Sequence, residues 1–458
     1  MIQIKIDGKM VQANAGQTIL DVAKTNNIEI PTLCHDPELN PFGSCWVCAV
    51  KVEGKKGFVT ACGTQVYDKM EIVTDSDEVI KARQMALELL LSDHYADCEA
   101  PCKVACPDHV DVQAYVAAIA NNDYHQAVKI IKQTLPMPLS IGRVCPAFCE
   151  KECRRTIVEE PIAIRQLKRY AADLDLNDVW SWIPEKEASK GKKIAVVGAG
   201  PSGLTCGYYL SNMGYEVEVF ESAPQPGGWL RYGIPEYRLP KAILDKEIEL
   251  MCTHGMKIHC NYEIGRNAGN LLAKNSAGLA QLSKDYDAVY MAIGAQKAVD
   301  MPVKGSHLQG CYLGVDYLKA VALGEAPEIG KRVAIVGGGN TAIDCARTAK
   351  RFGADVTVIY RRTRQEMPAD AFEIDAAYEE GINFYLLMNP VEYVGQASDV
   401  RQATSLSNEE DVTHATSLRN VEQLTHIRIE KMVLGEPDKS GRRSPKATGE
   451  FITEQFDS

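Results

Sequence analysis

Two strand–glycine turn–helix units, near residues 193–213 and 331–353, and ten cysteines crowded between Cys34 and Cys153 predict a multidomain α/β protein. The two units are Rossmann-like, and the cysteines mark a separate N-terminal region. Five further cysteines (Cys206, Cys252, Cys260, Cys311, Cys345) are scattered singly and read as small buried hydrophobes. At 458 residues the chain has room for three or four domains of roughly 100–200 residues. We divide it at 1–75, 76–185, 190–300 and 301–395, with 396–458 as an insertion and return segment. The net charge of −11 argues against nucleic acid or an anionic membrane as main partner. Apolar runs are short and broken by Lys, Asp or Gly, so no membrane span is expected. The opening MIQIKIDGKM lacks a signal-peptide pattern, and a cytoplasmic protein is expected. In that compartment a cysteine cluster points to metal rather than to disulfides.

In residues 1–75, Ile2, Ile4 and Ile6 alternate with polar residues, and Asp7-Gly8 supplies a tight turn into a second strand. Thr18 to Asn26 then shows helical spacing, with Ile19, Leu20, Val22 and Ala23 on one face. The following cysteines, Cys34, Cys45, Cys48 and Cys62, are spaced C-x10-C-x2-C-x13-C. Four thiolates can hold the two irons of a 2Fe–2S cluster, and the same four could hold a structural zinc. The segment TLCHDPELNPFGSCWVCAVKVEG, followed by TACGTQV, closely resembles the N-terminal 2Fe–2S domain of the complex I 75-kDa subunit and of multi-cluster hydrogenases. The resemblance implies a β-grasp ferredoxin domain.

In residues 76–185, an apolar-rich helix from Val79 to Leu91 leads into His94, and six cysteines follow in two triplets. Cys98, Cys102 and Cys106 form the first; Cys145, Cys149 and Cys153 form the second. The intervening HVDVQAYVAAIANNDYHQAVKIIKQ reads as two amphipathic helices. With GRVCPAFCEKEC and PIAIRQLKRYAAD, this region resembles the N-terminal domain of the glutamate synthase small subunit and of dihydropyrimidine dehydrogenase. That resemblance implies a helical domain with two interleaved 4Fe–4S clusters: Cys98, Cys102 and Cys153 on one, Cys106, Cys145 and Cys149 on the other. His94 is the candidate fourth ligand of the first, in a position like that of the histidine ligand in the complex I 75-kDa subunit; the plain alternative is a solvated histidine ending the helix. The family's Glu or Gln for the second cluster aligns with Lys168, and a protonated lysine has no lone pair to donate.

From Lys193 the strand IAVVGAGPSG ends in Gly198, Gly200 and Gly203; a helix and the strand EVEVFE, ending in Glu221, follow. Strand, GxGxxG, helix and terminal acid together are a dinucleotide fingerprint. The turn lets backbone N–H groups approach a pyrophosphate, and Glu221 can accept from ribose hydroxyls. An acid there suits FAD and would repel a 2′-phosphate. PQPGGWLRYGIPEYRLPKAILDKEIE again resembles the glutamate-synthase-type flavoproteins, which implies that Gly227 and Gly228 lie along the flavin.

The second unit, KRVAIVGGGNTAIDCARTAKRFG, carries Gly337, Gly339, Asn340, Thr341 and Ala342 at its turn. Its next strand, DVTVIY, ends not in an acid but in Arg361 and Arg362, with Arg364 two residues on. Guanidinium groups there can pair with a 2′-phosphate, so this unit is expected to bind NADP(H). In the family the chain then returns to the flavin domain and closes over FAD. LGEPDKSGRRSPKATGEFITEQFDS reads as the approach to that return, which places the last flavin lobe outside the sequence. Gln396 to His426 is rich in Ser, Thr and Asn and reads as a loop.

NADPH delivers two electrons as a hydride whereas a cluster takes one, so a flavin between them is chemically required, and no catalytic side chain is called for. The resemblance implies an iron–sulfur flavoprotein subunit with FAD, NADP(H), one 2Fe–2S and two 4Fe–4S clusters, of the ferredoxin- and NADH-linked transhydrogenase type. Its partners would be other subunits of an NADH-dehydrogenase-like or ferredoxin-linked redox complex. The alternatives are the electron-input subunit of a formate dehydrogenase or hydrogenase, and a non-enzymatic electron relay.

Overall fold

A computed structural model describes residues 2–37, 39–92, 97–265, 276–398, 421–437 and 442–458. It contains two compact units, Met1–Cys98 and Glu99–Ser458.

In the first unit the strands Ile2–Ile6 and Lys9–Ala13 form an antiparallel hairpin. Asp7 and Gly8 turn it, both at positive φ (46° and 80°), as a two-residue turn that follows the sheet's twist requires. Ile2–Ile6 also pairs in parallel with Glu71–Val73, which in turn pairs with Ala49–Val52, and Phe58–Thr60 closes the sheet. The helix Ile19–Thr25 begins at a reciprocal cap: the Asp21 N–H donates to Thr18 Oγ1 (3.1 Å), and the Thr18 N–H donates to the Asp21 carboxylate (2.9 Å). It buries Ile19, Leu20, Val22 and Ala23 in one core with Ile4, Ile6 and Ile72. A helix on a mixed sheet, with a cysteine loop beside it, is a ferredoxin-like domain. The helix Asp77–Ser92 follows, where Arg83 Nε donates to the Ala49 carbonyl (2.9 Å).

The second unit opens with helices. Val112–Ala120 and Tyr124–Ile131 are the two amphipathic helices expected between the cysteine triplets, each capped by an aspartate, Asp111 and Asp123. Ile164–Asn177 packs against both, with Val112, Tyr115, Ile131 and Ile164 in their shared core. A four-stranded parallel sheet follows, in the order Ala288–Met291, Lys193–Val197, Glu216–Phe220, Lys257–His259. A second parallel sheet holds Arg332–Val336, Asp355–Tyr360 and Asn383–Leu386. Beside it runs an antiparallel meander of Met388–Ser398, Val421–Pro437 and Arg443–Gln455.

The meander corrects two expectations. The loop foreseen from Gln396 to His426 is strand at 396–398 and 421–426, while 399–420 lie outside the described residues. Leu424, Ile427 and Ile429 are buried with Leu308 and Ile359, partners far away in sequence. The stretch read as an approach to the flavin domain belongs instead to the second parallel sheet's neighbourhood. Its Ser458 carbonyl accepts the Ala334 N–H (2.8 Å), and the Asp457 carboxylate accepts the Arg332 N–H (3.0 Å).

The cysteine-bearing helices are pinned to the domain of the first parallel sheet by a buried carboxylate. Glu247, on the helix Lys241–Met251, accepts the N–H groups of Leu139 (2.6 Å) and Ser140 (2.9 Å) at the start of the helix Pro138–Val144. Burial pushes its pKa up to about 7. Glu247→Ala would leave two buried donors unpaired, so we expect a loss of about 2 kcal/mol or more, read as a lower thermal midpoint. Since the native pKa lies above the ordinary value of 4.5, the carboxyl's contribution is complete below that pH and is lost through about pH 7. The wild type's advantage over Glu247→Ala should therefore shrink as pH rises across that window.

Candidate functional site: thiol clusters and two nucleotide turns

Cys34, Cys45 and Cys48 lie on the loop that leads into Ala49–Val52, Cys62 lies just after Phe58–Thr60, and the four form two pairs. Cys48 and Cys62 are buried with their sulfurs 3.4 Å apart. Cys34, which is exposed, accepts hydrogen bonds from the backbone and side chain of Cys45, and these lower its pKa to about 7. Burial and the Cys48 hydrogen bond push Cys62 up to about 12. Two thiol pairs, one reaching the surface at Cys34 and one buried, fit the two irons of a 2Fe–2S cluster.

In the second unit the thiols gather around Tyr115. This tyrosine is 1% exposed and its hydroxyl donates to the Ile164 carbonyl (3.3 Å). Burial raises its pKa first, and the charges of Cys149, Cys106, Cys102 and Cys145 raise it further, so thiols of both triplets lie close to it. Cys149, pushed up to about 11 mainly by burial, also feels Cys145, Lys168 and Cys106. Cys102, raised by burial, feels Cys153. The folding thus brings Cys106 to Cys145 and Cys149, and Cys102 to Cys153. Lys168 is buried on Ile164–Asn177, so a cation stands where the related family has a carboxylate or amide. Cys98 belongs to the first unit, and His94 lies outside the described residues. Among the described residues no three His, Cys, Asp or Glu side chains close in on a single metal ion.

The first nucleotide turn has the shape that a pyrophosphate needs. Gly198 donates its N–H to the Phe220 carbonyl (2.7 Å), closing the turn on the next strand. A Cβ at Gly203 would fall inside the Gly198 carbonyl, so the helix Pro201–Asn212 can start here only without a side chain. A Cβ added at Gly200 would stand in van der Waals contact with the Gly228 Cα, 3.9 Å away. Glu221 is buried; one oxygen accepts the Ala199 N–H (2.7 Å), the other that of Ala223 (2.8 Å). Oε1 also accepts the Ser222 hydroxyl (3.3 Å), so Oε2 is the oxygen that keeps a second acceptor position for a ribose hydroxyl.

The loop carrying Gly227 and Gly228 is held by hydrogen bonds of its own. The Gly227 N–H donates to Ala199 O (2.8 Å). Arg231 donates to Gln225 and pairs with Asp245. Lys241 sends its ammonium to the carbonyls of Leu230 (3.1 Å), Ile234 (2.6 Å) and Leu239 (3.0 Å), and burial lowers its pKa to about 8. Nothing in local sequence marks that lysine, because its partners are backbone carbonyls.

At the second turn, Gly337 donates to the Ile359 carbonyl (3.0 Å), and Asn340 Oδ1 accepts the Asp370 N–H (3.0 Å). Thr341 and Ala342 begin the helix Asn340–Arg351. Asp370 in turn takes Arg165 Nη1 (2.7 Å), which also donates to the Cys145 carbonyl (2.9 Å). One arginine therefore joins a cysteine loop to the nucleotide turn. Arg361 is exposed and has no ion-pair partner among the described residues, whereas Arg364 is paired with Asp375 and lies over the Tyr378 ring. Arg364 is thus engaged away from the strand end.

Fold and site define a multidomain oxidoreductase in which iron–sulfur domains are joined to paired dinucleotide-binding domains. Three family models match in succession: a 2Fe-2S iron-sulfur cluster binding domain at residues 1–77, dihydropyrimidine dehydrogenase domain II with its 4Fe-4S cluster at 77–180, and pyridine nucleotide-disulphide oxidoreductase at 192–419. The chain belongs to the same family as the NAD-dependent dihydropyrimidine dehydrogenase subunit PreT proteins. It is 37% identical over 366 residues to an NADPH-Fe(3+) oxidoreductase subunit beta of Geobacter sulfurreducens, covering 78% of this chain and 49% of the relative. It is 38% identical over 371 residues to an NADP(+)-dependent formate dehydrogenase subunit beta of Moorella thermoacetica, covering 76% and 48%. It is 32% identical over 303 residues to an NAD-dependent dihydropyrimidine dehydrogenase subunit PreT homolog of Salmonella typhi, covering 65% and 70%. The chain spans about half the length of the first two. Among the described residues no helix is long and apolar enough to cross a membrane.

Lys241→Met should free the 227–240 loop. Limited trypsin digestion read by mass spectrometry should show new cleavage after Arg231 and Arg238, which are protected in the wild type.

Proposed function

We propose that the chain is an iron–sulfur flavoprotein subunit that passes electrons between NADP(H) and iron–sulfur clusters through FAD, within a larger redox complex. The observation that carries this reading is the contrast between the two strand ends. Glu221 is an acceptor for an unphosphorylated ribose, whereas Arg361 and Arg362 present cations at the other. The first turn is therefore assigned to FAD, with Gly198, Gly200, Gly203, Gly227 and Gly228 against it. The second, with Gly337, Gly339, Asn340, Thr341 and Ala342, is assigned to NADP(H).

FAD, when bound, supplies the exchange between two-electron hydride chemistry and single electrons. The protein's own residues bind and orient. Glu221 fixes the ribose, the Lys241-tied loop holds its shape along the flavin site, and Arg165 keeps the Cys145 loop in register with the nucleotide turn. Cys34 with Cys45 and Cys48 with Cys62 would each hold one iron of a 2Fe–2S cluster. Cys106, Cys145 and Cys149 would hold one 4Fe–4S cluster, and Cys102 and Cys153 would belong to the other. The beta-subunit names of two relatives support a multi-subunit setting, and one of them supports formate dehydrogenase as the alternative complex.

Anaerobically purified protein should contain about ten irons per chain and one flavin. NADPH should reduce viologen dye faster than NADH does. Cys145→Ser and Cys153→Ser should each remove about four irons and a different electron paramagnetic resonance signal. Colourless protein, or loss of the same signal in both variants, would refute the assignment.

A further inference from the structure

The two nucleotide units are in register, and the register exposes a substitution that strand-end reading overlooks. Gly198 donates to Phe220 as Gly337 donates to Ile359, so the next residues, Glu221 and Tyr360, are positional equivalents. Where one unit has the ribose-binding acid, the other has a tyrosine. Its ring lies against the glycine turn, 2.7 Å from where a Cβ on Gly338 would stand, so it borders the nucleotide-binding face. Its hydroxyl donates to the Glu366 carbonyl (2.8 Å).

A third arginine reaches this point from the meander. Arg442, which immediately precedes the strand Arg443–Gln455, sends Nη2 to the Tyr360 hydroxyl (3.1 Å) and to the Glu366 carbonyl (3.0 Å). Next to it, the Arg443 carbonyl accepts Arg362 Nε (2.8 Å), which orients the Arg362 guanidinium. Arg361 follows Tyr360 directly, and Arg364 is held by Asp375. The charged groups at the strand end are thus Arg361, Arg362, Arg442 and Arg443, together with Glu366. The Glu366 carboxylate is taken up by the N–H and hydroxyl of Thr363.

We propose that Arg442, held by Tyr360 in the place of the ribose acid, is a specificity-determining residue that recognises the 2′-phosphate of NADP(H), with Tyr360 as its positioning residue. Its guanidinium sets a positive charge beside the Tyr360 hydroxyl, whereas the first unit has at the equivalent residue an acid that would repel a phosphate. This rests on the NADP(H) reading of the second unit and adds to it a residue from outside the strand–turn–helix motif.

The test is calorimetric binding of 2′,5′-ADP and 5′-AMP to the full chain, purified anaerobically with its clusters. These probes differ only by the 2′-phosphate. Wild type should prefer 2′,5′-ADP. Arg442→Gln should weaken 2′,5′-ADP roughly tenfold or more while leaving 5′-AMP unchanged, as expected for losing a charge-assisted hydrogen bond. Arg442→Lys, which keeps the charge but loses the fork, should recover part of the preference. Tyr360→Phe should reduce it less than Arg442→Gln does. Should Arg442→Gln fail to fold, the Arg442→Lys and Tyr360→Phe ratios decide. An unchanged ratio in a folded Arg442 variant overturns the inference and leaves the NADP(H) reading standing. No preference for 2′,5′-ADP in the wild type overturns both.

Discussion

Gly198 and Gly337 each donate an N–H to a carbonyl at the end of the neighbouring strand, 2.7 and 3.0 Å away. That single bond, made twice, ties a glycine turn to the end of the next strand. At such a turn a phosphate can come within hydrogen-bond distance of backbone N–H groups. Glu221 and Tyr360 stand at equivalent points beyond it, an acid at one and a tyrosine that accepts from an arginine at the other.

Around these turns the second unit is knitted by buried charges. Arg238, from the loop leading into Lys241–Met251, pairs with Asp344 (2.7 Å) and Glu373 (3.0 Å) of the second nucleotide domain. Arg347 meets Glu373 and Glu380, and Tyr237 lies under Arg347 and Arg351. Burial raises the Asp344 pKa to about 6, opposed by Arg238, so neither charge stands alone. Buried ion pairs add little net stability when complete but are costly to break, which suits them to holding one relative placement of two sheets. Glu247 and Arg165 do the same between the cysteine-bearing helices and the two nucleotide domains.

The thiol groups depend on a different constraint, that of sequence distance. Cys102 and Cys106 are separated from Cys145, Cys149 and Cys153 by three helices, and the packing of Tyr115, Ile131 and Ile164 folds them together. Tyr115 is buried where thiols of both triplets approach.

Local rules made much of this chain legible. Alternating isoleucines with Asp-Gly wrote the first hairpin, and apolar spacing the helix after it and the two between the cysteine triplets; GxGxxG and GxGxxA wrote both turns, for in each case the partners lie within a few residues. Tertiary structure alone decided what depends on distant partners. Leu424 and Ile427 became strand because Leu308 and Ile359 cover them, although their polar neighbourhood reads as loop. Lys241 became a clamp because three carbonyls converge on it. Arg442 reached Tyr360 because antiparallel pairing returns the meander to the parallel sheet. Short-range hydrogen bonding and periodicity are properties of a segment; burial and long-range pairing are properties of the whole chain, and no segment states them.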